Sequence, residues 1–315
     1  MSIKILLTGK DGQIGRELCR QLRPLGEVVA VGRQQLDLLK PSEIRQFIRT
    51  VRPTLIVNAA AYAAVDQAET DEAVAFAVNA GAPGVMAEEA KKLDAPIVHY
   101  SSDYVFRGSK TTPYVEDDPT SPINAYGRTK QAGEEAVQSV GGTHLIFRTA
   151  WVYAQEGINF LLTILRLATQ QEELKIVCDQ IGAPTWSREI AKATAHILSR
   201  AYAREATSVS LVEASGIYHM TAAGETSRYD FARAILEEFA TSAARPAWLG
   251  AATDDRPLMA RSVTPISADE YPTPARRPAY SVLCNRRLGD VFGEQLPSWR
   301  AQLHAAFSEE PPEIG

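Results

Sequence analysis

The stretch that most restricts the fold is Thr8-Gly9-Lys10-Asp11-Gly12-Gln13-Ile14-Gly15. It lies between an apolar run at 3–7 and a segment with Leu18, Leu22 and Leu25 at helical spacing. The run reads as a short strand and the leucines as one face of a helix. Glycines three residues apart between a strand and a helix make a turn on which a dinucleotide's pyrophosphate can rest. Gly9 permits the tight turn, Gly12 lets the backbone approach the phosphates, and Gly15 lets helix and strand pack closely. The helix start adds unpaired N–H groups and a positive dipole end. Asp11, Gln13 and Ile14 share the turn and are expected at the cofactor. A plain strand-to-helix turn with incidental glycines is the alternative.

A second strand at 27–31 ends in Gly32-Arg33. An acidic residue here would bind the adenosine ribose, whereas an arginine suits a 2′-phosphate, so Arg33 leans the reading from NADH towards NADPH. The other reading of Arg33 is a solvated loop residue. Asp37 and Leu38 are expected to border the adenine. A helix at 41–51 and a third strand at 54–57 lead to Asn58-Ala59-Ala60-Ala61-Tyr62, where small residues let a flat cofactor lie against the backbone. Asp66 and Glu69 read as solvated or capping. A long helix over 71–93 carries Asn79 in its middle, either facing solvent or fixing the next strand's loop through its amide.

The apolar run at 95–100 is a fourth, buried strand that leads into Ser101-Ser102-Asp103-Tyr104. A helix after Pro122 places Tyr126 and Lys130 four residues apart, hence on one face. Ligands of open α/β sheets bind beyond the carboxyl ends of the strands. A hydroxyl at such an end, facing a phenol with an ammonium beside it, suits proton donation to a carbonyl oxygen. Ser102, Tyr126 and Lys130 are therefore the expected catalytic residues. Lys130 is expected to lower the Tyr126 pKa and to hold the nicotinamide ribose.

A fifth strand at 144–149 completes five strand–helix units. They predict an α/β protein with a Rossmann-like, doubly wound parallel sheet and a smaller C-terminal α/β substrate-binding part. The expected division is a cofactor domain at 1–155 and a mostly substrate-binding domain at 156–307, some of whose segments return to the first. The Pro- and Ala-rich stretch 245–277 reads as irregular, and 308–315 as a frayed tail.

A formal net charge of −5 leaves no footprint for nucleic acid or an anionic membrane. Cys19, Cys178 and Cys284 lack metal-ligand spacing and read as reduced thiols. With no signal-peptide pattern and no membrane-length apolar run, a cytoplasmic location is expected.

Together these residues resemble the extended short-chain dehydrogenase/reductase superfamily and, within it, the dTDP-4-dehydrorhamnose reductase family. The likeness is carried by the glycine turn, the runs 58–69 and 101–106, and Tyr126 to Lys130. It continues through Arg148-Thr149-Ala150-Trp151-Val152-Tyr153, Asp179-Gln180-Ile181-Gly182-Ala183-Pro184-Thr185 and Arg277-Pro278 with Ser281. The resemblance implies reduction of the 4-keto group of dTDP-4-dehydro-L-rhamnose with NADPH or NADH. It puts Val65, Ser102, Asp103, Tyr104, Trp151 and Gln180 at the nucleotide-sugar, and Tyr126 and Lys130 also at the cofactor. Tyr280 stands where the family usually has Asn, which would reshape the pocket rim. Some relatives dimerise through a magnesium held by interface glutamates. Glu17 and Glu189 fall near two of those positions, while Arg286 stands where another acid is expected, so monomer and homodimer both stay open. The rival readings are another nucleotide keto-sugar reductase, an epimerase or dehydratase that recycles its NAD, and a non-catalytic regulatory subunit like the β subunit of methionine adenosyltransferase. Tyr104 argues against a dehydratase, which usually has Glu there, and retention of Tyr126 with Lys130 argues for catalysis.

Overall fold

The computed structural model describes residues 3–203, 209–242 and 246–310. In the first half strands and helices alternate as β1 (Ile3–Thr8), α1 (Gln13–Gln21), β2 (Gly26–Val31), α2 (Pro41–Val51) and β3 (Leu55–Asn58). There follow α3 (Glu72–Phe76), α4 (Ala82–Lys92), β4 (Ile97–Ser102), α5 (Ala125–Ser139) and β5 (His144–Thr149). The expected long helix is α3 and α4 joined by one π-helical turn, Ala77–Gly81, which carries Asn79. The second half contains β6 (Val152–Tyr153), α6 (Phe160–Ala168), β7 (Glu173–Val177), β8 (Ile181–Gly182), β9 (Thr185–Trp186) and α7 (Ser187–Tyr202). Then come β10 (Gly216–His219), β11 (Thr226–Ser227), α8 (Arg228–Thr241), α9 (Ala247–Thr253), β12 (Ser262–Ile266), α10 (Arg286–Phe292) and α11 (Trp299–Ser308).

The main sheet has the order β2-β1-β3-β4-β5-β10, and its pairings are parallel. The chain reverses its direction of travel between β1 and β3, which opens a crevice at their carboxyl ends. Because strand side chains alternate, each strand feeds two cores. Ile5, Leu7, Val57, Val98 and Phe147 pack towards Leu18 and Leu22 of α1 and Ile190 and Ile197 of α7. Leu6, Ile56, Ile97 and Ile146 point the other way, onto Ile44 and Ile48 of α2 and Met86 of α4. Complete burial of such side chains stabilises by about 1.5–3 kcal/mol each.

A separate core gathers Leu161 and Leu165 of α6, Leu174 of β7, Phe231 and Ile235 of α8, Trp248 of α9 and Phe307 of α11. This second core lies in sequence after the glycine turn and β1–β5, yet α7, β10 and α10 from the same half lie on the main sheet. The irregular reading of 245–277 needs correction. Within it α9 buries Trp248 and Leu249, and β12 pairs with β7 in parallel register. The prolines mask both elements: Pro246 sits just before α9, and Pro265 is tolerated because β12 belongs to a two-stranded ribbon. Arg245, at the start of that stretch, lies outside the described residues. Of the tail expected to fray, Ser308 closes α11 and Glu309 pairs with Arg188, while 311–315 lie outside the described residues. Among the described residues no helix is long and apolar enough to cross a membrane.

Candidate active site

The glycine-turn end of the site is built from backbone. Gly9 has φ +78°, and a Cβ there would stand 2.5 Å from the Ala60 nitrogen. A Cβ on Gly15 would stand 1.9 Å from the Gly9 carbonyl oxygen. These two glycines bring β1, the head of α1 and the end of β3 within backbone contact. Gly12 precedes α1 without a side-chain cap, so the first N–H groups of the helix keep no side-chain partner. That is a cradle for a pyrophosphate, and the residues present fit a dinucleotide.

One cavity of about 600 Å³ runs from this cradle across the carboxyl ends of the strands. Its wall includes Gly9, Asp11, Gly12, Gln13, Ile14, Arg33, Asp37, Leu38 and Ala59 to Tyr62, all expected at the cofactor. It also includes Val65, Ser102, Asp103, Tyr104, Tyr126, Lys130 and Trp151. Gly15 and Asn79 stand behind the wall. The Asn79 amide is buried; its Oδ1 accepts the Tyr62 N–H at 2.8 Å and its Nδ2 donates to the Tyr62 carbonyl and to Thr129 Oγ1. It therefore fixes the loop after β3, not the loop of the next strand. Gln180 is off the wall as well; its carbonyl accepts the Arg228 N–H at 3.3 Å.

Ser102 closes β4, where its hydroxyl donates to Asp103 Oδ1 at 3.0 Å and accepts the Tyr104 N–H at 3.1 Å. Tyr126 and Lys130 project from the first turns of α5. Asn124 caps that helix by accepting the Gly127 N–H, and Glu69 accepts the Ala125 N–H at 2.7 Å. The capping reading of Glu69 fits this contact. Asp66 is part-exposed and makes no side-chain cap. Its two oxygens receive Arg277 at 2.8 and 2.7 Å, tying the loop after β3 to the segment before Pro278.

The electrostatics correct one expectation. Burial pushes the Tyr126 phenol up, and the influence that opposes it is the neighbouring Ser102 hydroxyl, not Lys130. The Lys130 ammonium donates one N–H to the Tyr100 carbonyl at 2.6 Å, on the strand behind the phenol. Burial brings Lys130 itself down to about 8, with Glu134 resisting. Glu134 in turn receives Ser101 Oγ at 2.5 Å and a two-pronged Arg148 at 2.8 and 2.7 Å. Asp103 is pushed up to about 6 by burial, against hydrogen bonds from Ser281 and Ser102 and the charge of Arg228.

Trp151 lies in the left-handed region with φ +45°, a costly conformation for a bulky residue. Two neighbours hold it there. A Cβ on Gly182 would stand 2.4 Å from the Trp151 ring, so the indole lies against bare backbone. On its other side the Arg228 guanidinium sits 3.9 Å from the ring centroid. Arg228 lines the cavity and was missed by sequence reasoning, as was Phe160, 5.1 Å from the same guanidinium. The only local sign is that Arg228 follows Ser227, a residue type that caps helices. Tyr280 is off the wall and donates its hydroxyl to Glu225 at 2.7 Å. Glu17 faces Arg188 and Arg20, and Glu189 faces Lys192. Among the described residues no three His, Cys, Asp or Glu are placed to hold a metal ion.

A model of the RmlD substrate binding domain matches residues 3–310. A dTDP-4-dehydrorhamnose reductase of Burkholderia thailandensis is 50% identical over 298 residues, 95% of this chain and 96% of that protein. The Escherichia coli enzyme of the same name is 40% identical over 311 residues, 98% of each chain. Among solved structures, the Bacillus anthracis dTDP-4-dehydrorhamnose reductase in complex with NADP superposes with a TM-score of 0.84 at 30% identity. That likeness covers 98% of this chain and 99% of the other. With a family pattern that spans nearly all its length and relatives this similar from end to end, the chain belongs to the RmlD substrate binding domain family, alongside the dTDP-4-dehydrorhamnose reductases.

Proposed function

We propose that the chain is an NAD(P)H-dependent reductase that converts the 4-keto group of dTDP-4-dehydro-L-rhamnose to the alcohol of dTDP-L-rhamnose. The reading rests on one observation: a single cavity has both the glycine cradle and Ser102, Tyr126 and Lys130 on its wall. Gly9, Gly12 and the head of α1 would hold the pyrophosphate, Ala59 to Tyr62 the flat rings, and Lys130 the nicotinamide ribose. When bound, the nicotinamide cofactor supplies the hydride. Charge then develops on the substrate's carbonyl oxygen and must be met by donors already in place. Tyr126 breaks its O–H bond to that oxygen, giving the alcohol and a phenolate that takes its next proton from solvent. Burial, which holds the phenol's proton tightly, keeps Tyr126 neutral and protonated until the oxygen is basic enough to take the proton. Ser102, on the same wall as Tyr126, would turn its hydroxyl from Asp103 to the substrate's carbonyl oxygen.

Arg33, at the end of β2 and on the cavity wall, supports NADPH over NADH through the 2′-phosphate. Replacing it with Ala should weaken NADPH while leaving NADH binding unchanged. The reading includes a cytoplasmic setting and a monomer or homodimer. Its test is NADPH oxidation with dTDP-4-dehydro-L-rhamnose beside the GDP and UDP analogues. Cofactor consumed mole for mole with the dTDP sugar supports the reading. Tightly held NAD that is recycled with no net oxidation would turn it into an epimerase.

A further inference from the structure

A charged group in a cavity wall needs a partner, because taking an ion from water without one is costly. The buried or half-buried arginines around this crevice meet that need with carboxylates: Arg148 with Glu134, Arg277 with Asp66 and Arg188 with Glu309. Arg228 differs. Among the described residues it forms no ion pair, although it lines the cavity; the Tyr104 hydroxyl and the Asp103 carboxyl favour its charge, and Arg277 opposes it. Its guanidinium is held flat by Trp151 at 3.9 Å and faced by Phe160 at 5.1 Å. A planar cation fixed by stacking presents its N–H edge in a set direction, which is the geometry that receives two oxygens of one phosphate. Trp151 accepts a strained backbone to complete this arrangement, and such strain gathers where a ligand is clamped.

The inference rests on the proposed substrate, since in a thymidine-diphosphate sugar with a neutral keto-hexose the two phosphates are the only anions. Under that reading Ser102 and Tyr126 serve the oxygen that gains charge, and the glycine cradle serves the cofactor's phosphates. We propose that Arg228, stacked on Trp151, is the receptor for the diphosphate of the sugar nucleotide, and that it sets the requirement for a diphosphate in place of a monophosphate or nucleoside.

The test titrates dTDP, dTMP and thymidine into the full-length wild type and into Arg228→Met and Arg228→Lys by calorimetry, with NADPH binding as the control for folding. Wild type should bind dTDP far more tightly than thymidine. Arg228→Met should lose about 30-fold in dTDP affinity, the loss of one charge-assisted pair, and Arg228→Lys should recover part of it. Thymidine and NADPH affinities should stay within about twofold, since thymidine has no phosphate and the cofactor's phosphates are assigned to the glycine cradle. In turnover, KM for the sugar nucleotide should rise far more than kcat falls. Equal dTDP affinity in wild type and Arg228→Met overturns the proposal, and so does a fall in kcat at unchanged KM, which would move Arg228 to the reacting oxygen. If Arg228→Met loses NADPH binding as well, the wild-type series decides, because dTDP binding no more tightly than thymidine also overturns it. Arg228-dependent dTDP binding by a protein that does not reduce the keto-sugar leaves the inference standing and removes the reductase reading instead.

Discussion

The two ends of the crevice are made of different material. The end proposed for the cofactor is backbone: Gly9, Gly12, Ala59 and Ala60 matter through side chains they lack, and the contacts that define it come from two short stretches at the ends of β1 and β3. The end proposed for the substrate is side chains: Tyr104, Trp151 and Arg228 come from separate segments and meet only in the folded chain. A backbone site tolerates almost no added atom, whereas a side-chain site tolerates exchange and so can change its ligand.

Removing the phenol tests the border between the ends and should give the largest effect. Tyr126→Phe should lower kcat by about 10²–10⁴, the usual contribution of a general acid, while NADPH binds as before. Steady-state rates beside a cofactor titration check this, and an unchanged kcat removes Tyr126 from the role. Gly9→Ala attacks the backbone end. Its methyl would press on the Ala60 nitrogen at 2.5 Å in a left-handed conformation, so NADPH affinity should collapse and stability should fall by about 2–5 kcal/mol. Chemical denaturation and cofactor titration measure both. Wild-type affinity would mean that the cradle is not made by bare backbone.

The same division governs how much could be read from the sequence. The glycine turn, Ala59 to Tyr62, and Tyr126 with Lys130 are local patterns whose meaning survives without the fold, because spacing along one element sets which groups share a face. The sheet was legible for the same reason: β1, β3, β4 and β5 are apolar runs bounded by turn residues. Arg228 was not legible, since nothing around it differs from an exposed first residue of a helix. The lowering of the Tyr126 pKa by Lys130 was a local inference that failed in the fold, where the ammonium reaches the Tyr100 carbonyl. The strand at Ser262–Ile266 was hidden because its partner β7 lies nearly ninety residues earlier.

Asp103 joins the ends and carries a signature in pH. Its carboxyl is raised from 3.8 to about 6, so between those values the folded chain holds a proton that the unfolded chain has released. Folding is therefore favoured by this group at low pH, and the contribution is lost as pH rises through 4 to 6. Asp103→Asn keeps the shape and removes the titration. Relative to it, wild type should lose about 1–3 kcal/mol of stability across that window. Parallel stability curves for the two proteins would show that Asp103 stays ionised, and the charge of Arg228 would then outweigh burial.

The smallest effect separates backbone strain from side-chain packing at Trp151. Both Trp151→Ala and Trp151→Gly remove the indole, the face on which Arg228 stacks and the contact with Gly182, so both lose the same packing. They differ in the φ of +45°, which costs Ala about 1–2 kcal/mol and Gly almost nothing. Glycine gives back about 0.5–1 kcal/mol through the freedom of its unfolded chain. The Gly variant should therefore be the more stable of the two by about 0.5–1 kcal/mol, a difference that urea denaturation of the pair resolves through their midpoints. If Ala equals or exceeds Gly, residue 151 relaxes out of the left-handed region once the indole is gone. The strain would then belong to the ring's seat between Gly182 and Arg228, and the substrate end would be set by its side chains down to its own backbone.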